Sequence, residues 1–368
     1  MKSSTRIALL VTPLFAVGCG AGDDAPETTP AGGLTAAVEE GSRAERLEAL
    51  LSALAADSMQ GRRTGTDGAH RAMHFLAAEL DRYGVEPAGD DGYYQWVPLA
   101  RVEVPTGDGG TQERLVLPSP DIDFDTLPDE RLLRSEANVV GIIPGSDPEV
   151  ATEAVVIGAH YDHIGIGEPV TTGTEADSIN NGADDDGSGT VAILEIARAL
   201  REGPPPRRTV VVLLSTAEEQ GLLGTRWYIE QPVVPLDQTV ADLQIEMIGR
   251  PDSLAGGFGR GWLTGYERTT MGDQLAGSGS PIVPDPRPEM NFFFRSDNAA
   301  FARIGIPAHT LSSYNLHEDY HQPSDEVEEV DFAHMAALVD AALEAVRFLA
   351  DGPRPEWKEG GMEGLTGN

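Results

Sequence analysis

The sequence predicts an α/β sandwich built on a largely parallel sheet. Short β-branched apolar runs alternate with segments of helical periodicity along the chain. The runs are apolar without strict alternation, as in strands covered on both faces. Clusters of His, Asp and Glu follow directly after several of these runs, at the strand ends where open α/β sheets gather their sites.

Residues 1–18 read as an export signal. Lys2 and Arg6 form a basic start, and Ile7 to Val17 form an apolar run too short to span a bilayer. "AVGC" then ends at Cys19, the only cysteine, and resembles a bacterial lipobox with Ala16 where Leu is commoner. A lipid on Cys19 would anchor the protein in the cell envelope, on the non-cytoplasmic side of a membrane. The mature domain would then have no disulfide. Residues 19–41 are small, polar and rich in Pro and Gly, and read as a flexible tether.

Ser42 and Glu45 form a capping-box pattern that opens a helix carrying Leu47, Leu50, Leu51 and Leu54 on one face. A second helix is expected over residues 68–83, ended by Gly84. "ANVVGIIPG" (137–145) and "EAVVIGAHYD" (153–162) read as buried strands, "GTVAILEIARAL" (189–200) as a helix and "RTVVVLLSTAEE" (208–219) as another strand. Further strands are expected within 240–250 and 305–313. A last helix spans about 331–350, with Phe332, Met335, Leu338, Val339, Leu343, Val346 and Leu349 as apolar positions. The folded domain is thus read as residues 42–350, and residues 351–368 as a frayed tail. The stretch between residues 85 and 137 is too short for a full inserted domain.

With 368 residues and 40% hydrophobic content, the chain can bury a core. Its formal charge of −34 would repel phosphate backbones, which argues against nucleic acid as a partner.

The chemistry concentrates at strand ends. His160, Tyr161, Asp162 and His163 follow the second strand; Glu218 and Glu219 follow the strand that starts at residue 208; Glu246 follows the next. "NNGADDDGSG" (180–189) puts Asp184, Asp185 and Asp186 in a row between glycines. "HEDYHQPSD" adds His317, Asp319, His321 and Asp325. A His/carboxylate set without Cys suits zinc, and manganese or cobalt less well. Three adjacent Asp repel one another unless a cation sits among them, and one carboxylate can bridge two ions. A calcium-loop reading of "DDDGSGTVAILE", with Gly189 sixth and Glu195 twelfth, fails on context. No amphipathic helix precedes it, and Glu195 falls inside a helix. Near "YHQPSD", His321 is preferred to His317 as a ligand, and His163 is read as a neighbour. His309 is read as core; His70, His74 and His334 fall on helices and need no functional account.

"GAHYDH", "NNGADDDGSG", "STAEEQGLLGT", "QIEMIGR" and "DYHQPSD", in that order, resemble the co-catalytic zinc aminopeptidases, whose fold recurs in glutamate carboxypeptidase II and glutaminyl cyclase. "GRRTGTDG" (61–68), "NVVGIIPG" and "FRSDNAAFARIGIP" (294–307) strengthen the likeness, which spans about residues 42–350. The resemblance implies a three-layer sandwich of zinc-exopeptidase type, with a mixed, largely parallel central sheet, and a catalytic domain over 42–350. It implies two zinc ions: His160 and Glu246 would bind one, Glu219 and His321 the other. Asp184 would bridge them, beside a cis peptide to Asp185. Asp162 would orient His160, with Asp185 also in support. Glu218 would be the general base, moving a proton from water to the leaving amine. Tyr320 would donate a hydrogen bond to the oxyanion. The implied function is removal of N-terminal residues from peptides.

Two departures stand out. Glu246 occupies a position where the family often has Asp, and Asn298 follows Asp297 where a His is common. Asp297 is read as near the site without a firm role. A glutaminyl cyclase or a carboxypeptidase on the same scaffold, and a non-catalytic binding module, are the alternative readings. The ligand types are common to the enzymes, and the ligand positions all carry competent side chains.

Overall fold

The structure, a computed structural model, describes residues 41–365 except Asp108, Gly173 and Thr174. The expected export signal, Cys19 and all of the tether but Gly41 lie outside the described residues. Helix α1 (Arg43–Leu54) starts at the expected capping box, with Ser42 and Glu45 satisfying each other's backbone N–H groups, and it buries Leu47, Leu50, Leu51 and Leu54. Helix α2 (Asp67–Arg82) is capped by Thr66 and is followed by Gly84 at φ +69°, a left-handed turn that suits glycine.

Five strands carry the centre of the main sheet: β1 (Ala137–Ile143), β2 (Ala154–His160), β3 (Thr209–Ser215), β4 (Thr239–Ile245) and β5 (Ala308–Ser312). Across the sheet the order is Glu86–Pro87, β1, β3, β2, β4, β5, Trp262–Leu263 and Val283–Pro284, with Tyr94–Trp96 also paired to β1. Strands β3, β2, β4 and β5 run parallel, whereas β1 is antiparallel to β3 and Trp262–Leu263 is antiparallel to β5. The sheet is therefore mixed with a parallel centre.

Side-chain alternation sorts the layers. Val155, Ile157, Val210, Val212 and Leu214 pack with α1, α2, helix α3 (Gly189–Glu202) and the last helix. Val156, Val211 and Leu213 face the other way, toward Tyr228 of α4 (Leu223–Glu230) and Phe301 of α5 (Asn298–Arg303). The last helix, α6 (Phe332–Asp351), follows the predicted apolar stripe through Met335, Leu338, Val339, Val346 and Leu349. Helices on both faces explain why the strands are apolar throughout rather than alternating.

Two small sheets lie outside the main one: Leu99–Pro105 with Thr111–Val116 and Leu132–Leu133, and Gly165–Thr172 with Glu175–Asn180. Glu195, the twelfth residue of the calcium-loop reading, sits within α3 and is held by Arg46 and Arg198.

The segment after α6 departs from the expected frayed tail. Trp357 bridges to Thr269, and its indole N–H donates to the Gly305 carbonyl at 2.7 Å. Leu365 is 4% exposed in the core that holds Phe293 and Phe301. The composition of residues 353–365, rich in Gly, Glu and Pro, hides this because a few anchoring side chains hold the rest. Deleting residues 353–368 is expected to lower the thermal midpoint by several degrees, through loss of at least about 2 kcal/mol of apolar burial. A calorimetric midpoint equal to that of the full chain would show that the segment contributes nothing.

Candidate metal centre

Register brings the site together. Ser215 of β3 pairs with His160 of β2, so these strands finish level. Glu218 and Glu219 leave β3 at that edge, and Glu246 leaves β4 with its N–H bonded to the Leu311 carbonyl of β5. A buried cation secures the surrounding loops. Arg62 is 0% exposed and donates to the carbonyls of Tyr161 (2.8 Å), Leu54 (3.2 Å), Asn181 (2.6 Å) and Gly182 (2.8 Å). Burial lowers its pKa to about 10, against the pull of Asp325, Asp185, Asp162 and Asp186, so it stays charged. The "GRRTGTDG" segment contains this residue, but nothing in its pattern indicates a clamp for two distant loops.

The acid run folds as an irregular turn over Ala183–Ser188. Backbone N–H groups of Asp184 and Asp185 donate to the Asp325 carboxylate at 3.0–3.1 Å. The carboxylates then diverge. Asp184 accepts from the Gly249 N–H at 2.7 Å and the Ser188 hydroxyl at 3.1 Å, and lies 3.1 Å from His317 Nε2. Asp186 accepts the N–H groups of Gly189 and Met247 at 3.0 and 3.1 Å. Asp185 alone faces imidazoles on two sides: Oδ1 is 3.4 Å from His160 Nε2, and Oδ2 is 3.0 Å from His321 Nε2. The bridging geometry therefore belongs to Asp185, one residue later than the resemblance implies, and Asp184 instead braces the loop after β4. The cis peptide is likewise Asp185–Asp186 rather than Asp184–Asp185. Three identical side chains in a row carry no mark of which one turns inward.

Two groups of donor atoms result, each within 4.8 Å: His163, Asp185, Glu219 and His321, and His160, Asp186 and Glu246. Glu219 and His321 stand in the first group and His160 and Glu246 in the second, while His317 contacts Asp184. Asp162 supports His160 differently from the reading. The His160 Nδ1 faces the Asp162 backbone carbonyl at 3.0 Å, while the Asp162 carboxylate is 3.9 Å away. A carbonyl only accepts, so Nδ1 carries a proton, and Nε2 is the nitrogen turned toward the cluster. The Asp162 carboxylate accepts from the Glu218 N–H (3.0 Å) and the Thr64 hydroxyl (3.1 Å), and so fixes the Glu218 loop. Asp297 accepts from the Ser215 hydroxyl at 2.5 Å, and the Ser296 hydroxyl donates to Glu246. His309 is buried between Thr269 and Thr264, His334 bonds Ser313 and the Gly259 N–H, and His70 and His74 face Glu136 and Tyr94.

Electrostatics supports a cationic occupant. Burial pushes Glu218 and Asp186 well above the usual carboxylate range and raises Glu246 to about 8 against the opposing pull of His160. Burial acts the same way on Asp185, but the imidazoles of His160, His321 and His163 outweigh it and hold that carboxyl well below its ordinary value. Asp185 Oδ2, Asp186 Oδ2 and His321 Nε2 are buried without a hydrogen-bond partner of good geometry, although Asp185 and His321 lie close together. Donors that approach without pairing, with nitrogen and carboxylate oxygen as the only ligand types, fit divalent zinc. A cleft of about 570 Å³, including its open mouth, reaches the cluster, and its walls include Trp262, Phe292, Tyr314, Tyr320 and Met247. The Tyr320 ring stacks on His321 with centroids 3.9 Å apart.

Asp185→Asn is expected to lose most bound metal after gel filtration. Asp184→Asn should keep its metal but lose about 1–3 kcal/mol of stability through its buried hydrogen bonds. Metal analysis and thermal unfolding of both variants test the register, and the reverse pattern would restore Asp184 as the bridge.

Comparison with known proteins bears on the fold and the family. "Leucine aminopeptidase 1" of Metarhizium robertsii is 29% identical over 217 residues, covering 54% of this chain and 51% of the relative. The chain thus spans about half the length of that relative. A zinc aminopeptidase from Bacillus subtilis superposes with a TM-score of 0.57 at 14% identity, over 84% of this chain and 96% of the other. Glutaminyl cyclase of Porphyromonas gingivalis gives 0.51 at 15% identity, over 82% and 97%. At these identities the superpositions speak to the fold alone. The profile of Peptidase family M28 matches residues 138–346, more than half of the 368-residue chain and the whole stretch from β1 into α6. The chain belongs to Peptidase family M28.

Proposed function

We propose that this chain is a two-zinc aminopeptidase that removes N-terminal residues from peptides. The observation that carries this reading is Asp185, whose two carboxylate oxygens face separate His/carboxylate groups beside Glu218. His160, Glu246 and Asp185 would hold one ion, and Glu219, His321 and Asp185 the other. When bound, the two ions would supply the positive charge that acidifies a water and polarises the scissile carbonyl.

The chain's own residues would do the rest. Glu218, Oε2 of which lies 3.9 Å from His160 Nε2, accepts a proton from the attacking water and delivers it to the leaving amine. Its N–H bond to Asp162 fixes where that carboxylate stands. Burial makes Glu218 a better proton acceptor than an exposed acid would be, which suits a group that must take up and then release a proton. Tyr320, on the cleft wall, donates to the developing oxyanion. Trp262, Phe292, Tyr314 and Met247 offer an apolar seat for the side chain at the cleaved end. Among the described residues no helix is long and apolar enough to cross a membrane. We further propose that the chain is exported and held at a membrane by a lipid on Cys19, a reading supported by residues 1–19.

Glu218→Gln is expected to retain metal and lose about 10²–10⁴-fold in kcat. Near-normal turnover with full metal would remove Glu218 as the base. Aminoacyl-anilides with free and acetylated amines, assayed before chelation, after it and after zinc return, test the class. Cleavage of only the free-amine substrates, restored by zinc, is expected. Cyclisation of an N-terminal Gln peptide without anilide cleavage would instead indicate an acyl transferase on this scaffold. Cys19→Ser is expected to move the protein from the membrane to the soluble fraction, and an unchanged distribution would overturn the anchor.

A further inference from the structure

His163 has no part in the mechanism above, yet its ring is fully buried against the metal cluster. We infer that His163 is a fourth protein donor to the ion at Glu219 and His321, and that it makes this site closed and tight while the His160 site stays open. The inference rests on the two-metal reading and adds an unequal division of labour to it.

The geometry carries the assignment. Zinc bound tetrahedrally by nitrogen and oxygen at about 2.0–2.2 Å has donors about 3.3–3.6 Å apart. His163 Nδ1 lies 3.0 Å from Glu219 Oε1 and 3.8 Å from Asp185 Oδ2. His321 Nε2 lies 3.2 Å from Glu219 Oε1 and 3.0 Å from Asp185 Oδ2. The four atoms form a ring whose separations bracket the tetrahedral edge, and all fall within 4.8 Å of one another. Nε2 of His163 meets no partner, so Nδ1 is the nitrogen that engages the cluster.

The chain also makes room for this ring. Gly182 has φ +55°, and a Cβ there would lie 2.6 Å from His163 Cδ2 and 2.7 Å from Cγ. The same Cβ would lie closer still to the Asp185 carbonyl oxygen, so a side chain at 182 would crowd both the imidazole and the turn that carries Asp185. The second group differs. Around His160 stand Glu246, which already accepts from Ser296, and Asp186, of which Oδ1 accepts two backbone N–H groups. The first group offers four donors, the number zinc takes in closed structural sites, whereas the second offers fewer free ones and keeps a position for the reactants.

The test uses apo-protein reloaded with one equivalent of zinc. X-ray absorption should show two imidazoles on the zinc, and dialysis against a weak chelator should leave that equivalent bound while a second is removed. His163→Ala should weaken the first equivalent at least about 10-fold in a chelator competition and reduce the imidazole count to one. One imidazole in the unsubstituted protein, or unchanged competition in the variant, would overturn the role of His163 and leave the two-metal reading standing. No zinc retained at all would overturn both. The spectrum of the unsubstituted protein decides the matter even where the variant fails to fold.

Discussion

Uncompensated negative charge is the constraint on which this structure turns. Asp162, Asp185, Asp186, Glu218, Glu246 and Asp297 are held together at the carboxyl edge of the sheet, the four aspartates buried and the two glutamates partly so. Isolated burial of even one ionised carboxylate is unfavourable by several kcal/mol. The surrounding chain answers with directed hydrogen-bond donors: backbone N–H groups on Asp162, Asp184, Asp186 and Asp325, and hydroxyls on Asp297 and Glu246. Those donors take up some oxygens and leave others free to face inward. The division between satisfied and unsatisfied oxygens is what separates bracing acids from ligand candidates.

Much of the fold is legible in the sequence because it rests on local signals. The capping box at Ser42, the stripe of α6 and the apolar strands each arise within a few residues, and each appears near its expected bounds. The residue classes of the site are legible too, since few chemistries require His and acids after successive strands. What could not be read is the direction of individual side chains. Asp184 and Asp185 are the same residue type side by side, and the Gly249 N–H, 65 residues away, with Ser188 and His317, separates their fates. Asp162 supports His160 through its carbonyl, an atom every residue has. Arg62 acts on four carbonyls, which leave no trace in sequence. The segment after α6 carries little sign of order in its sequence because its anchors, Trp357 and Leu365, are sparse among polar neighbours.

The positions where the chain departs from its family pattern are packed with the same care as the rest. Glu246 reaches the cluster with its extra methylene and receives the Ser296 hydroxyl. Asn298 faces inward as well, donating to the Phe293 carbonyl and accepting from Thr310 at 2.9 Å, so it serves the wall behind the cleft.

The inward-facing donors come from residues 160 to 321, and they meet only when β2, β3, β4 and the segment after β5 are all in register. No short piece of the chain contains a competent set. An ion therefore cannot gather this domain from an early, local nucleus, as it does in a small metal finger. Its binding free energy acts on the native state as a whole, raising the barrier against global opening and leaving local fraying untouched. Scarcity of metal would then be felt as lifetime: the fold would assemble at its usual rate and come apart sooner.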